Sequence, residues 1–327
     1  MTPVVLVTAR SFGTGTRDLA AELSADGIRV LRGPADHGEL AELLAPADAW
    51  IAGTGPVTDA HLAAAPRLRV VARYGVGVDA VDLAAAARRG VLVTNTPGAN
   101  SGAVADHTIA LLLAALRGVA AGDKRVRGGS WTVGERAREL GSLTVGVVGF
   151  GRIGRGVAAR LRGFGGRVLA TDPFVPADVI AAAGAEPVAA EQIPARCDVV
   201  TLHAPGDAVV VTAEWLAAAR PGLLLVNTAR AALVDEAALA GALRTGRVAG
   251  YAADTLSAES GGVSPLLDDD LTDRVTLTPH TAAQTVEAVD LMGLGAVTAV
   301  RAVLAGQEPD PTVVVSGRGR LRERLLT

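Results

Sequence analysis

Short apolar runs alternate with alanine-rich stretches along nearly the whole chain. In the first third the β-type runs are "VVLVTA" (4–9), "IRVL" (28–31), "AWIAG" (49–53), "LRVVARY" (68–74) and "VLVTN" (91–95). Between them lie helical candidates such as "TRDLAAELSADG" and "VDLAAAARRG", the second stopped by Gly90 as a C-cap would stop it. A long helix is predicted over roughly 101–127, beginning "NSGAVADHTIALLLAALRGV". The rhythm then restarts with "LTVGVVGF" (143–150), "RVLATD" (167–172), "DVVTLH" (198–203), "LLLVNT" (223–228), "AGYAAD" (249–254) and "VTLTP" (275–279). Strands alternating with helices imply βαβ units and parallel sheets. Two doubly wound α/β domains are expected, with the long helix at or near their join.

Composition narrows the function classes. At 327 residues there is room for two domains of ordinary size. Half the residues are hydrophobic and a fifth charged, as in a well-packed globule. Net charge is −3 with no basic block, so neither nucleic acid nor a membrane surface is an expected partner. Runs such as "IALLLAAL" (109–116) are too short to span a bilayer. The start lacks the features of a signal peptide, and a cytoplasmic location is expected. The single cysteine, Cys197, excludes internal disulfides and a cysteine-only metal site, and no metal is expected. One lysine, Lys124, stands in the polar "GDKRVRGG" beside thirty arginines, which leaves little basis for Schiff-base chemistry.

Candidate chemistry starts at "VGVVGFGRIGRGVAARL", where Gly149, Gly151 and Gly154 form GxGxxG between a strand and a helix. With glycine at 39 positions the motif alone is weak. Its context is what a dinucleotide site requires: a tight turn, a close pyrophosphate and a helix N-terminus facing it. Asp172 closes the next strand, where a carboxylate can bond both ribose hydroxyls and repel a 2′-phosphate. NAD is therefore favoured over NADP.

Hydride transfer needs a proton partner on oxygen, and histidine is the natural one near neutral pH. His37 and His61 fall in polar, turn-like or helical surroundings expected at the surface, and His107 lies within the long helix as an ordinary packed residue. His203 ("TLHAP") and His280 ("TLTPHTAAQT") both end strands at the carboxyl edge, where ligands bind in open parallel sheets. Spacing does not separate these two. The buried run Leu223–Val226 also delivers a guanidinium, Arg230, that requires an anion.

From about residue 68 to 290 the chain resembles the D-2-hydroxyacid dehydrogenase family. The resemblance rests on seven segments in family order: "RYGVGVDAVDLAAAARRGVLVTNTPGANSGAVADHTIALLLA", "VGVVGFGRIG", "TDPF", "HAP", "VNTARAALVDEAAL", "GYAADTLSAE" and "LTPHTA". It implies that Arg230 binds the substrate carboxylate and polarises the carbonyl. His280 is implied as general acid–base, with Glu259 pairing with it. Gly75, Val76 and Gly77 would offer backbone N–H groups to the same acid. The cofactor NAD would be lined by Gly149, Gly151, Arg152, Ile153, Gly154, Asp172, His203, Ala204, Pro205, Thr228, Ala229 and Asp254, with Asp254 facing the nicotinamide carboxamide. Bland alternatives are a surface bridge from Arg230 to Asp235 or Glu236, a solvated loop glutamate at 259, and a merely packed His280.

The sequence departs from the family pattern at Leu256 and Ser260, where an aromatic and a Glu-Pro pair are usual, at Asp106 in place of glutamate, and at Ala231 in place of glycine. The resemblance implies interleaved domains: 1–98 completed by 288–327 for substrate, 99–287 for NAD, with the active site in the cleft between them. It also implies a homodimer through the cofactor domain, the apolar helix around "HTIALLLAAL" being a plausible contact. No room is expected for the regulatory domain that some phosphoglycerate dehydrogenases append. Arg73 is expected as a surface residue, with an extension of the anion site as its rival role. Two further readings stay open: a family member acting on phosphite, formate or a phosphonate, and an NAD-sensing binding module of corepressor type.

Overall fold

The computed structural model describes residues 2–134, 136–206 and 208–316. The arginine-rich tail after Gly317 lies outside the described residues. The described residues form thirteen strands: β1 (Val4–Val7), β2 (Arg29–Arg32), β3 (Ala49–Ala52), β4 (Val70–Arg73), β5 (Leu92–Thr94), β6 (Thr144–Val148), β7 (Arg167–Thr171), β8 (Glu186–Pro187), β9 (Val199–Leu202), β10 (Leu223–Asn227), β11 (Val248–Ala253), β12 (Val275–Leu277) and β13 (Val314–Ser316). The chain divides into two compact units, Met1–Asn100 with Ala283–Thr327, and Ser101–Ala282.

The first unit holds a six-stranded sheet in the order β13-β5-β4-β3-β1-β2, parallel except where β13 runs against β5. Leu6, Trp50, Ala52, Val71 and Val93 point to one face of it and form a core with the flanking helices. Two sequence expectations fail here. His37 is 2% exposed rather than superficial. Its φ of 60° turns the ring inward, where Nε2 meets Thr8 Oγ1 at 2.7 Å and Nδ1 meets the Pro56 carbonyl at 2.9 Å. Arg73 is buried as well, and its Nη1 donates to the carbonyls of Ala52 and Tyr74, tying the ends of β3 and β4 together. A polar residue reads as superficial in sequence, yet backbone carbonyls at a strand end can satisfy it inside.

The second unit holds a seven-stranded parallel sheet, β12-β11-β10-β9-β6-β7-β8. Its strands are apolar on both faces, as helices on both sides demand. In β10, Leu224 and Val226 pack with Val145, Val147 and the helix Ser101–Leu116. Leu223 and Leu225 pack to the opposite side with Leu202, Tyr251 and Leu239. The predicted 101–127 helix breaks: Ser101–Leu116 and Val119–Arg127 meet at 59° across Gly118, whose φ is +61°. Glycine takes that left-handed turn at no steric cost. In the first piece Ile109, Leu111 and Leu112 are buried in this unit's own core. Among the described residues no single helix is long and apolar enough to cross a membrane.

Strand order in the second sheet reverses between β6 and β9. Their carboxyl ends therefore diverge into opposite connections and leave a crevice, the place where such sheets bind ligands.

Candidate active site

That crevice is lined by the GxGxxG turn. Gly149, leaving β6 at φ +90°, runs so close to the end of β9 that a Cβ would lie 2.6 Å from the His203 carbonyl carbon. At Gly154 a Cβ would collide with the Gly149 carbonyl, so the helix Arg152–Leu161 packs on the turn only because residue 154 has no side chain. Nothing lies within 4 Å of a Cβ built on Gly151, which begins the helix without a side-chain cap. A ten-residue helix thus points uncapped N–H groups, with Arg152 and Ile153 in its first turn, at open space. Asp172 closes the motif: its carboxylate accepts from the N–H of Phe150 at 2.6 Å and of Phe174 at 2.8 Å.

His203 donates its backbone N–H to the Val148 carbonyl at 2.7 Å, which joins the ends of β9 and β6. Its Nε2 lies 2.9 Å from Thr201 Oγ1, and its Nδ1 is buried without a hydrogen-bond partner. Burial pushes the imidazole pKa down to about 3, so the ring is neutral and poorly suited to deliver protons. Ala204 and the exposed Pro205 follow it at the crevice rim.

Arg230 follows β10 with its backbone held from below by Asn227, which is fully buried. The Asn227 amide donates to the Arg230 carbonyl at 2.8 Å and accepts from the Ala229 N–H at 3.0 Å. The Arg230 stem lies against Gly206, where a Cβ would come within 2.8 Å of it. The acids 235 and 236 are committed elsewhere. Asp235 caps the helix Glu236–Arg244, and Glu236 accepts from the Ser257 N–H and hydroxyl at 2.9 and 2.6 Å. Thr228, between Asn227 and Ala229, is buried and meets Thr108 Oγ1 at 2.8 Å.

His280 leaves β12 in a left-handed turn, φ +52°, a conformation that histidine adopts more readily than most residues. The turn is anchored by Asp254, 1% exposed at the end of β11. This carboxylate accepts from Thr278 Oγ1 (2.5 Å), the Thr281 N–H (2.9 Å) and the Ala282 N–H (2.8 Å). Both oxygens of Asp254, expected to face a nicotinamide, are thus engaged inside the protein and organise the His280 turn.

Glu259 sits in the short turn Ser257–Ser260. One carboxylate oxygen accepts from the Leu256 N–H at 2.7 Å, and the other lies 2.7 Å from His280 Nδ1. The hydrogen bond that His280 donates to Glu259 raises the His280 pKa above its ordinary value, against the opposing effect of burial. Burial pushes the Glu259 carboxyl up, but the His280 bond, the Leu256 N–H and the charge of Arg230 outweigh it and hold it low. Arg230 is felt by both members of the pair. One unit therefore brings together a fixed guanidinium and an imidazole primed to carry a proton.

Residues 109–282 match the family described as D-isomer specific 2-hydroxyacid dehydrogenase, NAD binding domain. The chain belongs to this family. Over 320 residues it is 40% identical to D-3-phosphoglycerate dehydrogenase of Mycobacterium leprae, covering 96% of this chain and 59% of that protein. The chain spans about three fifths of the length of the curated relatives it matches. Among solved structures, the TT0316 protein from Thermus thermophilus has a TM-score of 0.81 at 34% identity, covering 95% of this chain and 99% of that one. D-lactate dehydrogenase from Aquifex aeolicus, complexed with NAD and lactic acid, has a TM-score of 0.79 at 26% identity, covering 93% and 96%.

NAD is the cofactor of the second unit, and the residues of this family member fit it. The open space at Gly151 and the uncapped helix start are an opening of the kind a dinucleotide's phosphates fill, and His203 Nδ1 and Thr255 Oγ1 are buried polar atoms without a partner. The loop Gly75–Gly77 belongs to the other unit, where Asn95 Nδ2 donates to the Val76 carbonyl and the Thr96 N–H to that of Gly75. Sequence reasoning missed the supporting residues of this site: Asn227, Glu236, Thr278 and His107. Asn227 carried one legible signal, an amide side chain ending an otherwise apolar strand. Buried Glu236 carried none, because a glutamate in a helix's first turn is ordinary at a surface.

Proposed function

We propose that this chain is an NAD-dependent oxidoreductase that moves a hydride between nicotinamide and C2 of a small 2-hydroxy or 2-oxo acid. The observation that carries the reading is the Glu259–His280 pair at 2.7 Å beside Arg230, all on one NAD-binding unit. When bound, the reduced cofactor would supply the hydride and the oxidised cofactor would accept it. Arg230 binds the acid's carboxylate through its planar fork and draws electron density from the adjacent carbonyl. Glu259 holds the Nδ1–H of His280, which leaves Nε2 to face the reacting oxygen. In reduction the imidazolium gives the Nε2 proton to the carbonyl oxygen, giving the hydroxyl; in oxidation neutral Nε2 takes it back.

A screen of glyoxylate, hydroxypyruvate, pyruvate, phosphohydroxypyruvate and phosphonate analogues with NADH tests the activity and its substrate. His280→Ala is expected to lower kcat by roughly 10²–10⁴ while NADH still binds; unimpaired turnover would remove His280 from the chemistry. NAD-dependent partner binding without any turnover would instead make the chain a sensor. The reading includes a homodimer, for which the exposed Trp131 and Val133, 84% and 96% accessible, supply apolar surface. Light scattering of the purified chain tests it.

A further inference from the structure

We propose that the adjacent residues His107 and Thr108 of the helix Ser101–Leu116 are positioning residues. Each ties a different functional loop, His280's or Arg230's, to one rigid helix. The inference rests on the functional reading of those two residues given above.

His107 Nε2 lies 2.8 Å from Thr278 Oγ1 and 3.4 Å from Asp254 Oδ1. Thr278 has one hydroxyl proton, and it goes to Asp254. Thr278 Oγ1 can then only accept from His107, so Nε2 carries the hydrogen. A directed chain results: His107 to Thr278 to Asp254, the carboxylate that also holds the N–H groups of Thr281 and Ala282, just after His280 in the turn.

Thr108 forms a second chain. Its hydroxyl donates to the Val104 carbonyl at 2.7 Å, so the 2.8 Å contact with Thr228 Oγ1 uses the Thr228 proton. Thr228 lies two residues before Arg230, and Thr108 is wholly buried. Consecutive helical residues point about 100° apart. That separation lets one reach the end of β12 and the other the end of β10. Neither loop is held to the helix by apolar contacts alone. The bonds are directional, the Thr108–Thr228 bond buried and the His107–Thr278 bond half-buried, so each loop has a defined height above the sheet.

The two ties predict separable losses. His107→Phe should lower kcat up to about tenfold with little change in KM, as expected when one half-buried hydrogen bond is lost. It should also move the alkaline limb of the reduction profile toward acid, because the Glu259–His280 pair loosens. His107→Gln, whose amide nitrogen reaches about as far as Nε2, should restore both. Thr108→Val should instead raise KM for the acid about tenfold and leave the limb in place, with Thr108→Ser restoring affinity. NMR titration of the imidazoles, with His280 assigned by its loss in His280→Ala, reads the first effect without any substrate.

Equal effects of both variants on kcat and KM would overturn the inference. So would failure of Gln and Ser to restore, or losses that merely follow the melting temperature. An inactive His280→Ala with a normal His107→Phe overturns the positioning role alone. A fully active His280→Ala sinks the functional reading, and this inference with it.

Discussion

Replacing Glu259 by glutamine isolates the charge that primes His280. The carboxylate meets two donors with two oxygens, His280 Nδ1 at 2.7 Å and the Leu256 N–H at 2.7 Å. A glutamine offers one acceptor, so its amide nitrogen must face one of those donors. A hydrogen bond to a charged partner is worth about 1.5–3 kcal/mol when shielded. Here the His280 and Glu259 side chains are 44% and 36% exposed, and solvent screening brings the pair down to about 1–1.5 kcal/mol. Neutral His280 keeps the Nδ1–H bond as well, so only the extra stabilisation of the imidazolium is lost, and the protonated population falls by up to about five- to tenfold wherever His280 is mostly neutral.

The sign follows from the raised pKa. Glu259 extends the protonated form of His280 to higher pH. Without the charge, 2-oxo acid reduction should fail earlier as pH rises, losing up to about five- to tenfold in kcat/KM on the alkaline side. Well below the titration His280 is protonated with either residue at 259, and the deficit should shrink. Oxidation of the hydroxy acid needs neutral Nε2, so its acidic limb should move toward acid and its rate near neutrality should suffer less. NADH absorbance followed in both directions from about pH 6 to about pH 9 measures this. A loss that is constant across pH, or a reduction limb that stays put, refutes the role given to Glu259.

Arg230→Lys keeps the charge but loses the planar fork, and KM for the acid should rise roughly tenfold or more while NADH affinity holds; an unchanged kcat/KM places Arg230 outside the site. Gly154→Ala should lower both melting temperature and NADH affinity, because its Cβ strikes the Gly149 carbonyl. Gly151→Ala, entering open space, should spare the melting temperature and weaken NADH; identical behaviour of the two would contradict the crevice geometry. His203 contributes stability that is present above its ordinary 6.5 and is lost as pH falls toward its folded value of about 3. Between neutrality and about pH 5 this amounts to about 2 kcal/mol, read as a loss of urea resistance that His203→Gln should lack. An equal loss in that variant shows that His203 is not the titrating group.

The strands at 143–150, 167–172 and 223–228 were legible because a sheet covered on both faces writes itself as continuous apolar runs between breakers. The crevice was legible for a related reason. Glycines at 149 and 154 are required by backbone approach, a constraint that admits no other residue and so appears in the sequence as a fixed spacing. Arg230, His203 and His280 stood out because a charged or titratable group directly after a buried strand is improbable there, and the resemblance, not the placement, singled out His280 of the two histidines. The break at Gly118 was hidden, since glycine within an alanine-rich stretch reads as a tolerated interruption until the backbone turns left-handed. His37 and Arg73 were misplaced for want of their acceptors. The carbonyls of Pro56, Ala52 and Tyr74 are invisible in a side-chain alphabet, and they make burial possible.

Asp254 shows where this asymmetry matters most for function. A carboxylate at the end of a strand beside a cofactor site reads as a ligand contact, and its sequence position suits that reading. Its surroundings give it a second task, because two backbone N–H groups and a hydroxyl converge on it. An acid so engaged is a fastening point: three of its acceptor sites hold the shape of the 278–282 turn. That turn holds His280 at φ +52°, a strained backbone that persists only where the surroundings enforce it. Residue types next to the chemistry thus divide into those that keep a free polar edge and those that give it up to hold a neighbour. Sequence shows the first kind through their improbable placement. The second kind become visible only when each hydrogen bond has been given a donor and an acceptor.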